Sequence, residues 1–130
     1  MSNLTEECLF CNKAKQKIIY TSNFFFVVRD SYPVTKLHTL IIPHRHVSNF
    51  FDLYSDELID LNQILKNQRK SLLNLDKKIS AFNVGVNAGV DAGQSIMHCH
   101  IHLIPRRKGD IKNPRGGVRG VIPSKQKYKK

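Results

Sequence analysis

The sequence has no tryptophan, only ten acidic residues among 130, and no apolar run that approaches the roughly 20 residues needed to span a bilayer. Residues 1–15 lack the apolar stretch of a signal peptide, so we expect a cytoplasmic protein without a membrane partner. The three cysteines are an odd number, and Cys8 and Cys11 form a single Cys-x-x-Cys. In a reducing compartment this pattern is more typical of metal or redox chemistry than of a structural disulfide.

The positive charge is concentrated at the C-terminal end. Residues 106–130 hold ten lysines and arginines against Asp110 alone, so +9 of the net charge of +11 lies there. Such a segment attracts polyanions, whether nucleotide phosphates or nucleic acid, although a merely solvated tail is the alternative. Tyr128 is its one aromatic residue, so it lacks the interleaved stacking side chains of a nucleic-acid-binding surface, and we do not expect nucleic acid as a partner.

Hydrophobic periodicity and turn residues predict five strands and one long helix. The predicted strands are residues 17–21, 24–29, 38–42, 81–87 and 98–104, and the amphipathic helix covers 56–77 with Ser55 as its N-cap. Most strand connections are too short for parallel crossovers. The pattern therefore predicts one α+β domain over 1–130 with a largely antiparallel sheet, its core at about 8–107 and a basic extension at 108–130.

Three histidines occupy alternate positions of an apolar run, His98-Cys99-His100-Ile101-His102. Residues two apart share one face of a strand, so this spacing predicts three imidazoles pointing the same way, with the apolar positions on the core. Cα atoms four residues apart on a strand are about 13 Å from each other, too far for one ion to bind all three imidazoles. This favours one histidine serving a metal or the scaffold while the others react.

The run from Gly93 to Ile104, Gly-Gln-Ser-Ile-Met-His-Cys-His-Ile-His-Leu-Ile, resembles the signature of the histidine triad (HIT) family. Asn87, Asp30 and the segment 38–43 extend the resemblance, which covers about residues 8–107. It implies the HIT fold, a homodimer, and a nucleotide hydrolase or transferase.

The resemblance also implies roles for individual residues. His100 would attack the α-phosphorus and form a nucleotidyl-histidine, His102 would contact the phosphate and assist proton transfer, and His38 would orient His100. His38 could instead be a satisfied core histidine. The implied substrate contacts are Asp30 with the ribose hydroxyls and, around the phosphoryl oxygens, Asn87, Gly93, Gln94 and Ser95. The alternative for these residues is ordinary turn chemistry.

The Cys-x-x-Cys could be a redox pair, a turn with two free thiols, or half of a zinc site. Redox pairs usually lie in a thioredoxin-like βαβ unit, which the pattern lacks. Tetrahedral zinc needs two further donors, and the resemblance to zinc-binding members of the family implies a structural site of Cys8, Cys11, His46 and His98. His44 is the competing ligand.

Residues 108–123 resemble the C-terminal extension of a bacterial-type subgroup of the family similar to diadenosine polyphosphate hydrolases. Arg115 and Arg119 would then contact the additional phosphates, and Mg²⁺ could accompany such a substrate. The alternative is a surface loop. The sequence thus predicts a hydrolase that releases a nucleoside monophosphate from a dinucleoside polyphosphate or a nucleoside phosphoramidate. The alternatives are a nucleotidyltransferase with the same intermediate and a non-catalytic nucleotide- or nucleic-acid-binding module.

Overall fold

Five strands and one α-helix form the computed structural model, which describes residues 8–128. The strands are β1 (Tyr20–Thr21), β2 (Phe25–Arg29), β3 (Thr39–Pro43), β4 (Ile79–Gly85) and β5 (Ile101–Arg107), and helix α1 is Ser55–Leu75. The sheet has the order β1-β2-β3-β5-β4, and every neighbouring pair is antiparallel. The predicted α+β class is confirmed. Within 8–128, no helix has both the length and the apolar character needed to cross a bilayer.

Helix α1 covers one face of the sheet. Its buried Leu61 and Ile64, three residues apart, pack against Phe25, Ile41 and Ile101 of the three central strands. The helix begins one residue earlier than predicted. Ser55 is its first residue, and the Tyr54 N–H donates to the Glu57 carboxylate at 2.8 Å, which satisfies a backbone donor at the helix start.

Within residues 8–128, no α-helix covers the other face of the sheet, and this helix-free face carries the reactive histidines. Along β5, Ile101 and Leu103 are buried on the helix side, whereas His102, Ile104 and Arg106 alternate onto the opposite face. The strand begins at Ile101, three residues later than predicted. His98 and His100 therefore lie in the irregular segment before it.

Candidate active site and metal cluster

His100 stands immediately before β5 and lines a cleft on the helix-free face. Its Nδ1 lies 2.8 Å from the carbonyl oxygen of His98. A carbonyl can only accept a hydrogen bond, so Nδ1 carries the proton and Nε2 carries the free lone pair. The Phe10 ring packs edge-on against the imidazole, with 5.1 Å between the ring centroids. The backbone thus fixes the tautomer that a nucleophilic histidine needs.

His102 is held by a chain of hydrogen bonds that starts at a backbone amide. The Val34 N–H donates to His38 Nδ1 at 3.0 Å, so His38 carries its proton on Nε2, 2.9 Å from His102 Nδ1. His102 Nδ1 therefore accepts, and His102 presents an N–H at its other nitrogen. His38 was expected to orient His100. In the structure its hydrogen bond goes to His102 instead.

Both members of this pair stay uncharged near neutral pH. Burial, together with the neighbouring His100 and His38, lowers the pKa of His102 to about 4 against the opposing effect of Asp30. Burial also lowers the pKa of His38, and the Asp30 carboxylate, 3.5 Å from its Nε2, acts in the opposite direction. A neutral His102 accepts from His38 at Nδ1 and keeps the N–H at Nε2 for donation to a substrate oxygen.

The depressed pKa of His102 predicts an acid-sensitive fold. Unfolding returns His102 to its ordinary value of about 6.5. Below that value the unfolded chain binds more protons than the folded one, so stability present above pH 6.5 is lost as the pH falls to about 4. Urea unfolding of wild type and His102→Asn at pH 4–8 checks this, since the variant should have the flatter acid limb. Parallel profiles would contradict the assignment.

The cleft measures about 870 Å³ and collects most of the predicted substrate-binding residues. Asp30, Asn87, Gly93 and Ser95 all line it, together with His38, His100 and His102. Gly93 has φ +98°, a left-handed conformation that favours glycine, so the turn can bring its backbone close to the histidines. Among the described lining residues Asp30 supplies the single carboxylate, so no oxygen-rich site for magnesium is found there.

Gln94 lies behind the cleft wall rather than in it. Its side-chain Oε1 accepts the Gly89 N–H at 2.9 Å, and its Nε2 donates to the carbonyls of Ser48 and Ile96 at 2.8 and 3.1 Å. The residue is 5 % exposed. The carboxamide expected at the phosphate is thus engaged in holding the turn that carries Gly93 and Ser95.

Replacing Gln94 by alanine should therefore destabilise the protein. Three buried hydrogen bonds are lost and their backbone partners are left unsatisfied, so the free energy of unfolding should fall by about 2–3 kcal/mol. Chemical denaturation of the variant measures this directly. The matched control is Gln63→Ala, a change at an exposed position of α1, which should stay within about 0.5 kcal/mol of wild type. Equal stability of the two variants would contradict the structural role.

Arg115 and Arg119 do not line the cleft, contrary to their predicted phosphate contact. Their guanidinium groups pack on the Tyr128 ring, at 5.3 and 5.1 Å from its centroid. Arg106 on β5 lines the cleft instead. The sequence places Arg106 close to the site without assigning it a substrate contact, although its position at i+4 from His102 on one strand predicts the same face.

Phe10 was also missed as a cleft residue. It lies between the two cysteines of the Cys-x-x-Cys and is 4 % exposed. Its ring contacts both His98, at 6.0 Å between centroids, and His100. Its position could have indicated this role, because Phe10 lies between two cysteines that were expected to bind the same metal ion as His98.

Four donor side chains meet beside the cleft, at the predicted metal site. Ligand atoms of Cys8, Cys11, His46 and His98 all lie within 4.8 Å of one another. His98 Nδ1 is 3.3 Å from Cys8 Sγ and 3.2 Å from His46 Nδ1, and His46 Nδ1 is 3.2 Å from Cys11 Sγ. Ligand atoms around tetrahedral zinc are roughly 3.3–3.8 Å apart, so the spacing fits such an ion.

The tautomer of His98 fits a metal as well. Its Nε2 donates to the Pro43 carbonyl at 2.8 Å, which leaves the unprotonated Nδ1 facing the thiols. Burial lowers the pKa of His98 to about 4, although the carbonyl opposes this. His98 thus does not share the orientation of the other two histidines. His44, the competing ligand, lies outside the cluster, where its Nδ1 accepts from Lys13 Nζ at 2.6 Å and its Nε2 donates to the Ser22 carbonyl.

The sequence was compared with protein families and with characterised proteins, and both comparisons identify the HIT family. A family model described as the HIT domain matches residues 12–109. The chain is 42 % identical over 81 residues to asymmetrical bis(5'-nucleosyl)-tetraphosphatase of Schizosaccharomyces pombe, an alignment covering 61 % of this chain and 43 % of that protein. It therefore spans less than half the length of this relative.

Two solved structures share the fold. A zinc-bound histidine triad family protein from Mycobacterium smegmatis superposes with a TM-score of 0.74 at 26 % identity, covering 82 % of this chain and 80 % of that one. The diadenosine triphosphate hydrolase of Plasmodium falciparum superposes with a TM-score of 0.69 at 27 % identity, covering 76 % and 67 %.

Proposed function

Because this chain belongs to the HIT family, we propose that it is a nucleotide hydrolase that cleaves at the α-phosphorus and releases a nucleoside monophosphate. Its substrate is a dinucleoside polyphosphate or a nucleoside phosphoramidate. One observation carries the proposal. In the same cleft, the tautomer of His100 leaves a free lone pair on Nε2, and the tautomer of His102 presents an N–H. The hydrolases to which the chain is similar support the same class of reaction.

In the first step His100 Nε2 attacks the α-phosphorus. The nitrogen–phosphorus bond forms as the bond from phosphorus to the leaving group breaks, and the leaving group takes the bonding electrons. An amine leaving group also takes a proton from solvent and departs neutral. The imidazole gains positive charge while keeping its proton on Nδ1, where the His98 carbonyl accepts it at 2.8 Å. The N–H of His102 and donors from Asn87 and Ser95 stabilise the charge on the phosphoryl oxygens.

In the second step water replaces His100 on phosphorus. The new oxygen–phosphorus bond forms as the nitrogen–phosphorus bond breaks, and the electrons return to Nε2. The water proton passes to solvent or to the departing nucleotide. Asp30 binds the ribose hydroxyls throughout, from its position at the end of β2, where its Oδ1 accepts the Tyr32 N–H at 2.8 Å.

We further propose that Cys8, Cys11, His46 and His98 bind a structural zinc ion. It would tie the segment before β1 to the segment before β5 and supply no reactive group. A homodimer is also proposed. It is consistent with the outer edge of β4, the last strand in the sheet order, which pairs with no other strand among the described residues. Sedimentation equilibrium tests it.

Product analysis in ¹⁸O-labelled water tests the reaction. Incubation with diadenosine tetraphosphate or adenosine phosphoramidate should release AMP with one labelled oxygen on its phosphate. A nucleotidyltransferase would instead yield an unlabelled adduct with an added acceptor such as a sugar phosphate. If no substrate is turned over while nucleotide still binds, the chain is a binding module and the proposal fails.

A further inference from the structure

The C-terminal segment, residues 113–128, forms a wall of the cleft instead of a free tail. Gly117, Val118, Gly120 and Val121 all line the cleft. A Cβ placed on Gly117 would be 3.4 Å from the side-chain Nδ2 of Asn83 on β4, so the segment rests on the helix-free face of the sheet. The wall therefore stands beside β4.

Contacts within the segment hold its shape. A Cβ on Gly116, which has φ +89°, would overlap the backbone oxygen of Gln126, so only glycine fits this close crossing of the chain. The guanidinium groups of Arg115 and Arg119 pack on the Tyr128 ring. The two arginines thus fold the segment, which explains why they do not point into the cleft.

The reacting histidines lie between this wall and an opposite one. His102 pairs with Leu40 of β3 on one side and with Gly85 of β4 on the other. Asp30 and Phe10 stand on the β2 side. Strands β2 and β4 are separated by three strand spacings, about 14 Å. A phosphorus atom bound at His100 and His102 therefore lies between two walls. The nucleoside that is retained faces the β2 side, and the leaving group faces residues 113–128.

We propose that residues 113–128 form the leaving-group wall, which makes this site selective for a nucleotide whose leaving group is itself a nucleoside polyphosphate. The inference rests on the proposed function. Val118 and Val121, 63 % and 79 % exposed, offer apolar contact to a departing base. Arg106 offers two N–H groups to the departing phosphates, because Asp110 and Asn83 engage only three of its five. A small amine leaving group cannot reach this wall.

The test compares Val118→Asp with Ile122→Asp in the full chain. Both residues are exposed, both changes add the same charge, and Ile122 does not line the cleft. A carboxylate at 118 repels departing phosphates, so Val118→Asp should lower kcat/KM for diadenosine tetraphosphate relative to that for adenosine phosphoramidate by about tenfold. Cleavage of diadenosine tetraphosphate releases ATP as the leaving group. Val118→Asp should therefore weaken inhibition by ATP more than inhibition by AMP. Ile122→Asp should match wild type in both respects.

Equal loss on both substrates, or no loss on either, would overturn the leaving-group wall while leaving the hydrolase intact. A wild-type protein that cleaves only the phosphoramidate would also overturn it. If only the tetraphosphate is cleaved, the ATP and AMP inhibition constants decide, and equal weakening of the two would exclude the wall. Turnover of neither substrate would defeat the proposed function itself, which is a separate result.

Discussion

Replacing His100 by asparagine is expected to lower turnover of the nucleotide substrate at least ~10⁴-fold while the chain stays folded. Asparagine can still donate to the His98 carbonyl, but it has no nitrogen lone pair with which to attack phosphorus. The covalent intermediate is then lost, and only binding and the oxygen-stabilising donors of the cleft remain. Steady-state kinetics with diadenosine tetraphosphate measures the loss, and equilibrium binding of AMP shows whether the cleft is intact.

The matched control is the same substitution at His44. This histidine lies outside both the cleft lining and the metal cluster, with its ring stacked on Phe26. His44→Asn should therefore keep kcat within about threefold of wild type. A His100→Asn protein that retained more than about one per cent of wild-type turnover would remove His100 from the nucleophilic role and leave direct attack by water as the mechanism.

Replacing Cys11 by serine is expected to remove bound zinc and to lower Tm by about 10 °C or more. The proposed ion would link chain segments far apart in sequence. Loss of that link should lower the free energy of unfolding by about 3 kcal/mol or more, which corresponds to a Tm shift of about 10 °C in a domain of this length. Elemental analysis and differential scanning calorimetry give the two readouts. Chelation of the wild type should reproduce the fall in Tm.

Cys99→Ala serves as the control for thiol loss. Cys99 is buried in the core under α1, with 1 % exposure, and burial raises the pKa of its thiol to about 12, so it stays an uncharged packing group. This variant should keep its zinc and lose only packing energy. A Cys11→Ser protein with wild-type zinc content would refute the four-residue site.

Much of this architecture could be predicted because periodicity is a local property. The strand alternation around Ile101 and Leu103, the helix spacing of Leu61 and Ile64, and the short connections set the sheet and its antiparallel sense. The resemblance to zinc-binding members of the HIT family implied a site of Cys8, Cys11, His46 and His98, and the structure brings both thiols to the two predicted histidines.

The rest depended on partners distant in sequence. The side chain of His98 contacts the Pro43 carbonyl and two thiols, and residue 98 lies outside the strand. The sequence around residue 98 contains no sign of these distant partners. Gln94 resembles a phosphate ligand until three backbone groups are found around its carboxamide. Arg115 and Arg119 read as free cations because the ring that binds them comes nine or more residues later.

One residue links the N-terminal Cys-x-x-Cys to the reactive centre. The side chain of His98 meets Cys8, ninety residues earlier, while its backbone carbonyl orients His100. During synthesis, a nascent chain has its cysteines long before it has their partner, so neither the metal cluster nor the oriented nucleophile exists until the residues up to His100 have emerged. Closing a loop of this length costs entropy that the packed core must offset, so we expect these contacts to form late in folding. Reactivity toward nucleotides is thus withheld from incomplete chains.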